Sequence, residues 1–380
     1  MIKHTDTLVI GAGPAGISAA ITLQKAGIPN IVIDKSSFPR EKVCGGLVTN
    51  KTLKALMRLL NVRDPGRLKE TFADHSDTIE IYDKNKRLTC SKVSKYLRFV
   101  KRNRFDFFLV KQYKSLGGTI YENEKNYQAD FSKQEIRLTD GNIIYYDHLI
   151  VADGALSVSR AALGLPGQEL SFCIEAYAPK TQIKNHDRTK VYFGIIDNGY
   201  AWVFPSGKEV CIGLGSEYDK SVSYIKKLKA FLEQLKIDPE SCRIRGAFVP
   251  SGKVNDQSSL PENVILAGDA GGFIDPIYGE GLYFALSSGI AAAKARISSP
   301  KSFKNKYLKM MAGHIKMISH GYRLKKIFFK KRIQEIFKKR LGGKDSFVSF
   351  YCDNQVSTYR YSYRELFRLY VDYKKRVFIR

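Results

Sequence analysis

The chain of 380 residues, 44% hydrophobic and 12% aromatic, is long and apolar enough to bury the core of one large domain or two fused ones, which excludes a disordered protein. Its six cysteines (Cys44, Cys90, Cys173, Cys211, Cys242, Cys352) include no short CxxC pair, so neither a zinc site nor a disulfide framework is expected, and a reducing cytoplasm fits. The formal charge of +26 gathers at the end, with 22 Lys/Arg against 5 Asp/Glu from Lys301 to Arg380, an asymmetry that points to an anionic partner, either a nucleic acid or a membrane leaflet.

The opening MIKHTDTLVIGAG runs directly into a strand and leaves no room for a signal peptide, and no apolar run reaches the ~20 residues of a membrane span. In DTLVIGAGPAGISAAITLQKAGIPNIVIDK, Leu8 to Ile10 predict a buried strand, Gly11, Gly13 and Gly16 a GxGxxG turn, Pro14 to Lys25 a helix ending at Gly27, and Ile31 to Ile33 a second strand finishing on Asp34. The glycines permit a tight turn whose backbone N–H groups touch a pyrophosphate at the N-terminus of the helix opened by Pro14 and Ala15. Asp34, with Lys35 beside it, is placed to hold a ribose. A GxGxxG alone is weak, because an incidental glycine turn reads the same; the strand–turn–helix–strand setting favours a dinucleotide, NAD or FAD.

PREKVCGGLVTN comes next. Gly45 and Gly46 strip the backbone so that a flat ring can approach it, while Cys44 projects beside them with Arg40 and Lys42 nearby. Cys44 is a catalytic or redox group, a small pocket-lining residue or an ordinary loop residue. Asp77 to Cys90 predicts strands, and KRNRFDFFLVKQ a helix with Arg102 ahead of Phe105 and Asp106. HLIVADGALSVSR is a strand ending in Asp153-Gly154. From about Leu170 to Val249 alternating residues predict antiparallel strands, backed by a helix over Ser223 to Leu235. Within them Tyr200, Trp202 and Phe204 share a face ahead of Pro205, as an aromatic sheet core or as one wall of an apolar cavity.

Asn263 to Ala295 predicts a strand ending in Gly268-Asp269, a glycine-rich loop and a helix beginning near Gly279. Asp269 either holds a ligand hydroxyl or caps the loop. Glu280, the carboxyl group of Tyr278-Gly279-Glu280-Gly281, is either a proton source or a carboxylate that favours the helix dipole. After the break at Ser299-Pro300 the chain reads as helical and basic.

Taken together, the glycine turn, the Arg102 helix, the Asp153 segment and the Asp269 segment resemble the FAD-dependent oxidoreductase superfamily built like para-hydroxybenzoate hydroxylase. Cys44-Gly45-Gly46, Pro276-x-Tyr278-Gly279-Glu280-Gly281 and Tyr200-x-Trp202-x-Phe204-Pro205 resemble the geranylgeranyl reductase family. The likeness runs from about Thr5 to Ala295. That family often carries a third glycine where this chain has Leu47. The resemblance implies an α/β fold: a Rossmann-like FAD-binding domain (1–75, 92–165 and 255–299), an inserted antiparallel-sheet substrate domain (76–91 and 166–254) and a basic, mainly helical C-terminal segment (300–380).

It also implies FAD rather than NAD, held by Gly11, Gly13, Pro14, Ala15, Gly16, Asp34, Lys35, Cys44, Gly45, Gly46, Arg102, Asp153, Gly154, Gly268, Asp269, Gly279 and Gly281. The substrate, a lipid or isoprenoid, would meet Tyr200, Trp202, Phe204, Pro205 and Tyr278; Cys44 and Glu280 are the catalytic candidates, and no metal is expected. The implied reaction is reduction of carbon–carbon double bonds in a polyprenyl or related lipid. YAWVFP also resembles the WxWxIP segment of flavin halogenases, so a flavin monooxygenase or halogenase is the alternative, although no lysine stands out for halogenation. A basic nucleic-acid-binding flavoprotein is a third, less favoured reading, since no nucleic-acid motif accompanies the charges. Without a second GxGxxG, electrons would come from outside, from NAD(P)H, ferredoxin or flavodoxin. The mixture of apolar and basic residues from Tyr322 to Leu341 suggests a cytoplasmic protein peripheral to the inner face of a membrane, or else a helix packed on the FAD domain.

Overall fold

The structure, a computed structural model, describes residues 2–330; the expectations for the basic segment beyond Lys330 lie outside the described residues. β1 (Ile2–Ile10) ends in the buried run Thr7 to Ile10 and turns into α1 (Pro14–Lys25), which is buried from Pro14 to Ile21. β2 (Asn30–Ile33) returns parallel to β1, with Ile31 opposite Leu8. Then come the short β3 (Leu47–Val48) and α2 (Asn50–Leu60), whose first turn is capped by Thr49 Oγ1 accepting from the Thr52 N–H. The hairpin β4 (Asp74–Asp83) and β5 (Lys86–Phe99) leads to α3 (Arg102–Ser115), β6 (Thr119–Tyr121), β7 (Gln128–Asp130), β8 (Glu135–Arg137), β9 (Ile143–Val151) and α4 (Val158–Ala162). A second run of strands follows: β10 (Leu170–Pro179), β11 (Thr189–Phe193), β12 (Gly199–Ser206), β13 (Glu209–Glu217) and, after α5 (Tyr224–Gln234), β14 (Arg243–Pro250). β15 (Val264–Leu266), α6 (Leu282–Ser298) and α7 (Phe303–Phe328) complete the described chain.

Two sheets result. In the first, β6, β2, β1 and β9 lie parallel, β15 runs parallel to the end of β9, and β8 and β7 extend the start of β9 antiparallel. The second has the order β14-β10-β13-β12-β11-β4-β5-β3 and is antiparallel except where β11 meets β4. It therefore takes in Asp74–Phe99 as well as Leu170–Pro250.

The helices on the first sheet bury the largest core. α1 and α6 approach backbone to backbone, for a Cβ on Gly289 would lie 2.0 Å from the Ala15 carbonyl oxygen. α7 adds Phe303, Tyr307, Met311 and Ile318 to that core, each such burial stabilising by about 1.5–3 kcal/mol. One face of the second sheet is covered by α5, with Leu228, Phe231 and Leu232 against Ala176, Ala201, Val203, Ile212 and Leu214. Its other face, carrying Ile79, Leu97, Phe99, Phe193, Trp202 and Phe204, turns toward the first sheet and leaves the space in which the site is built. No helix among the described residues is long and apolar enough to cross a membrane.

Candidate active site

At the end of β1 the three glycines act differently. Gly11 has φ +103°, and a Cβ there would strike the Ala152 carbonyl at the end of β9. Gly16 lets α1 settle onto the turn, since its Cβ would lie 1.8 Å from the Gly11 carbonyl oxygen. Gly13 is the N-cap of α1 with φ −70°, and a Cβ on it would meet only an Arg40 guanidinium nitrogen, at 3.6 Å. Asp34 closes the turn from β2: Oδ2 accepts from the Ala12 N–H at 2.6 Å and Oδ1 from the Ser36 N–H at 2.7 Å. Lone pairs on both oxygens remain for ribose hydroxyls.

The second half of the cradle comes from the ends of β9 and β15. Asp153 Oδ2 accepts from the Ser159 N–H and hydroxyl at 3.2 and 2.9 Å, while Oδ1 is buried with no partner. Gly268 brings the chain against α1, its Cβ position being 2.7 Å from Ala15 Cβ. In the loop that follows, Asp275 Oδ1 accepts from the Ile277 and Tyr278 N–H groups at 2.8 and 2.6 Å, and Gly279 takes φ +67°. That left-handed residue delays the helix expected near Gly279: α6 starts at Leu282, with Gly281 as an N-cap that supplies no side chain. Its first N–H groups therefore lie uncapped by side chains at the wall of the cavity.

Arg102 begins α3 and clamps Asp106 through Nε and a terminal nitrogen at 2.8 and 3.0 Å; Arg40 reaches the same carboxylate at 3.3 Å. Burial alone would lower the Arg102 pKa, but Asp106 and the neighbouring Cys44 thiol more than offset it and hold the guanidinium above its ordinary value. Cys44 Sγ accepts from the Gly46 N–H at 3.4 Å, and the Cys44 N–H donates to Glu175 Oε1 at 3.0 Å. The two glycines carry a duty the sequence did not disclose. A Cβ on Gly45 would lie 2.9 Å from the Phe204 ring and one on Gly46 2.2 Å from the Val100 carbonyl, so protein as well as ligand demands their bareness.

β12 places Tyr200, Trp202 and Phe204 in a row, with ring centroids 5.9 and 6.1 Å apart. Trp202 lies over β13 where Gly213 leaves room; a Cβ there would sit 2.3 Å from the indole. The Tyr200 hydroxyl donates to the Tyr278 carbonyl at 2.6 Å and so ties the aromatic wall to the loop before α6. Glu280 is held on the α2 side: its oxygens meet Lys51 Nζ, the Thr49 hydroxyl and the Thr52 hydroxyl.

All this surrounds one cavity of about 760 Å³, mainly apolar on the second-sheet side. Of the residues expected from sequence, Gly11, Gly13, Pro14, Ala15, Asp34, Lys35, Cys44, Gly45, Gly46, Arg102, Asp153, Gly154, Asp269, Gly279, Glu280, Gly281, Tyr200, Trp202, Phe204 and Tyr278 line it. Gly16, Gly268 and Pro205 do not: the first two are packing contacts, and Pro205 follows Phe204 on a strand whose successive side chains alternate. Sequence reasoning missed Glu175, Thr189, Val191, Phe193 and Phe328, which also line the cavity. Glu175 carried a signal, a lone carboxylate in the apolar strand LSFCIEAYAP. Among the described residues no group of three His, Cys, Asp or Glu could hold a metal ion.

FAD fits the residues present. The bare Gly13, the uncapped start of α6 and the orphaned Asp153 Oδ1 form a cradle for phosphate, pyrimidine edge and hydroxyls, and the aromatic wall leaves apolar room beyond it. The two sheets thus share a flavin site with space beside it, and the fold is that of an FAD-dependent oxidoreductase.

Residues 4–212 match the FAD binding domain family, and the chain belongs to that family; its relatives include proteins named as geranylgeranyl reductases. An uncharacterized protein of Methanosarcina barkeri is 32% identical over 305 residues, covering 79% of this chain and 76% of that protein. The geranylgeranyl diphosphate reductase of Rhodobacter capsulatus is 29% identical over 330 residues, covering 83% and 81%. Among solved structures, a geranylgeranyl bacteriochlorophyll reductase-like protein from Thermoplasma acidophilum superposes with TM-score 0.69 at 21% identity, covering 93% of this chain and 91% of that one. The halogenase PltM with phloroglucinol and FAD gives TM-score 0.72 at 14% identity, covering 99% and 93%. Likenesses at such identities speak for the fold.

Proposed function

We propose that the protein reduces carbon–carbon double bonds of a polyprenyl or related lipid by hydride transfer from reduced flavin. The observation that carries this reading is the continuity of the cavity: the nucleotide cradle and an apolar wall of Trp202, Phe204, Ile79, Val191, Phe193 and Phe328 enclose one space. An apolar chain, not a charged metabolite, suits that wall. The relative in Rhodobacter capsulatus is a reductase named for geranylgeranyl diphosphate, which supports the same substrate class.

The chain's own residues then have assignable tasks. The glycines at 11 and 13 and the start of α6 bind FAD, Asp34, Asp153 and Asp269 orient it through hydroxyls, and Arg102 fixes the Cys44 loop beside its ring. FAD supplies the hydride when reduced. Cys44 shapes the reacting end of the cavity, and the aromatic wall excludes water, which an unactivated alkene requires. Glu280, ion-paired with the buried Lys51 ammonium and accepting from two hydroxyls, anchors the flavin-side loop to α2 rather than serving as the proton source. Electrons reach the flavin from an external donor of the nicotinamide, ferredoxin or flavodoxin kind, and the basic C-terminal segment meets an anionic membrane surface where such lipids reside.

The lysines among the described lining residues of the cavity, Lys35 and Lys42, stand on the chain between β2 and β3, and neither is on the aromatic wall. Geranylgeranyl diphosphate incubated anaerobically with the dithionite-reduced protein is expected to gain hydrogen, seen by mass spectrometry. Product formed only with oxygen, with stoichiometric oxygen uptake, would replace the reductase reading with oxygen chemistry.

A further inference from the structure

Alkene reduction needs a proton as well as a hydride, and the described residues around the cavity offer few sources. Asp34, Asp153 and Asp269 stand on the nucleotide-binding loops, Glu41 pairs with Arg245 at 3.0 Å, and Glu280 is held by Lys51, Thr49 and Thr52. The Tyr200 hydroxyl is committed to the Tyr278 carbonyl. Burial pushes the Cys173 thiol up to about 12 and the Cys211 thiol well above its ordinary value, so both are weak acids.

Glu175 differs. It sits on β10 with its neighbours Cys173 and Tyr177 on the cavity side, while Ile174 and Ala176 pack under α5. Only 2% of it is exposed, yet it lines the cavity next to the Cys44-Gly45-Gly46 loop. β13 supplies Gly213 directly opposite, and Trp202 lies opposite Gly213 in turn, so nothing but glycine stands between the carboxyl group and the indole along that row. Oε1 accepts from the Cys44 N–H and the Tyr177 hydroxyl, both at 3.0 Å, and Cys211 Sγ lies 3.4 Å from Oε2.

We propose that Glu175 is the proton donor of the reductase reaction, its carboxyl O–H facing the substrate end of the cavity. The proposal rests on the reductase reading. The π pair of the double bond takes the Glu175 proton at one carbon as the O–H bond breaks, and the other carbon takes a hydride from the reduced flavin. The alkene gains two electrons, the flavin loses two, and Glu175 is left as a carboxylate. The half-buried Tyr177, hydrogen-bonded to it and lying under Arg243, gives a route for reprotonation from solvent.

The environment favours the neutral acid. Burial raises the Glu175 pKa, against the Cys44 N–H, Tyr177, Cys211 and the charge of Lys42, which lower it. Cys173 flanks it on β10, and Arg245, opposite it on β14, is paired with Glu41. Because the donor works in its protonated form, turnover should fall as pH rises through that raised pKa.

Glu175→Gln and Glu175→Asp decide the matter. In the FAD-loaded protein at neutral pH, infrared spectroscopy should show a protonated-carboxyl band that Glu175→Gln lacks. Anaerobic single turnovers of geranylgeranyl diphosphate by dithionite-reduced enzyme should slow by about 10²–10⁴-fold in Glu175→Gln, with flavin content and flavin reduction unchanged. Glu175→Asp should recover part of the rate, and the alkaline limb of the wild-type pH profile should vanish in Glu175→Gln. An unaltered rate in Glu175→Gln, or identical infrared bands in both proteins, overturns the proposal and leaves the reductase reading standing. A wild type whose reduced flavin leaves the alkene untouched overturns both.

Discussion

Gly13 and Gly16 lie in one turn, yet a side chain at each should fail for opposite reasons. At Gly13 the nearest atom to a Cβ is Arg40, 3.6 Å away, so the apoprotein tolerates a larger residue while the cradle over the start of α1 is filled. At Gly16 the overlap at 1.8 Å is with the backbone of Gly11 and can be relieved only by parting α1 from β1. Gly13→Val is expected to be colourless with a near-native apo melting temperature. Gly16→Ala should lose at least ~1–3 kcal/mol of stability with or without FAD. Absorbance spectra and apo melting curves check both, and a yellow Gly13→Val would place the pyrophosphate elsewhere. At the other end of the cavity, Trp202→Ala removes the largest part of the aromatic wall without touching the cradle. It should raise the KM for a prenyl lipid by roughly tenfold and leave FAD bound; an unchanged KM would take Trp202 out of the lipid contact.

Between elements, the tie that matters most joins α2 to the loop before α6. Lys51, 6% exposed, reaches across to Glu280, and its ammonium also lies 4.8 Å from the centre of the Tyr283 ring on α6. Lys51→Met leaves the Glu280 carboxylate with hydroxyl donors alone. We expect a loss of about 3 kcal/mol in urea unfolding and weaker FAD binding, partly recovered in Lys51→Met/Glu280→Gln, where no buried charge is stranded. A double variant no better than the single would show that the pair acts independently. None of this was visible in the sequence. α1 and α5 were legible nearly to the residue because local periodicity, glycine and proline set them, and the row Tyr200, Trp202, Phe204 because a strand alternates. The start of α6 was displaced by a left-handed glycine that no helical pattern reveals. Lys51 with Glu280, and Glu175 with Cys44, are partners through tertiary packing and strand register, which local pattern does not encode.

At the scale of the whole molecule, α7 links the two halves. Its Tyr307, Met311 and Ile318 belong to the core over the first sheet, while Phe328 walls the cavity and meets Phe193 of the second sheet, with centroids 6.4 Å apart. Lys325 pins this end, donating to the Ser251 carbonyl at 3.1 Å and pairing with Glu217 at 3.0 Å. Leu324, Phe328 and Phe329, part of the stretch from Tyr322 that the sequence offered either to a membrane surface or to packing on the protein, pack against the apolar face of the second sheet. The surplus of Lys and Arg continues past the helix whose Phe328 walls the cavity. A basic segment attached there would hold the cavity near the surface of a membrane containing its substrate, each charge contributing about 1 kcal/mol and weakening as salt screens it. The protein is therefore expected to sediment with anionic vesicles at low ionic strength and to be released as salt rises. Replacing Lys330, Lys331, Arg332, Lys338 and Lys339 with Gln should abolish sedimentation while flavin content and turnover of a detergent-dispersed prenyl lipid stay at wild-type levels. Sedimentation of the substituted protein equal to that of the wild type would move the membrane contact away from this segment, and a matching retardation of RNA at the same salt would show that the charges answer to phosphate in general rather than to a lipid surface.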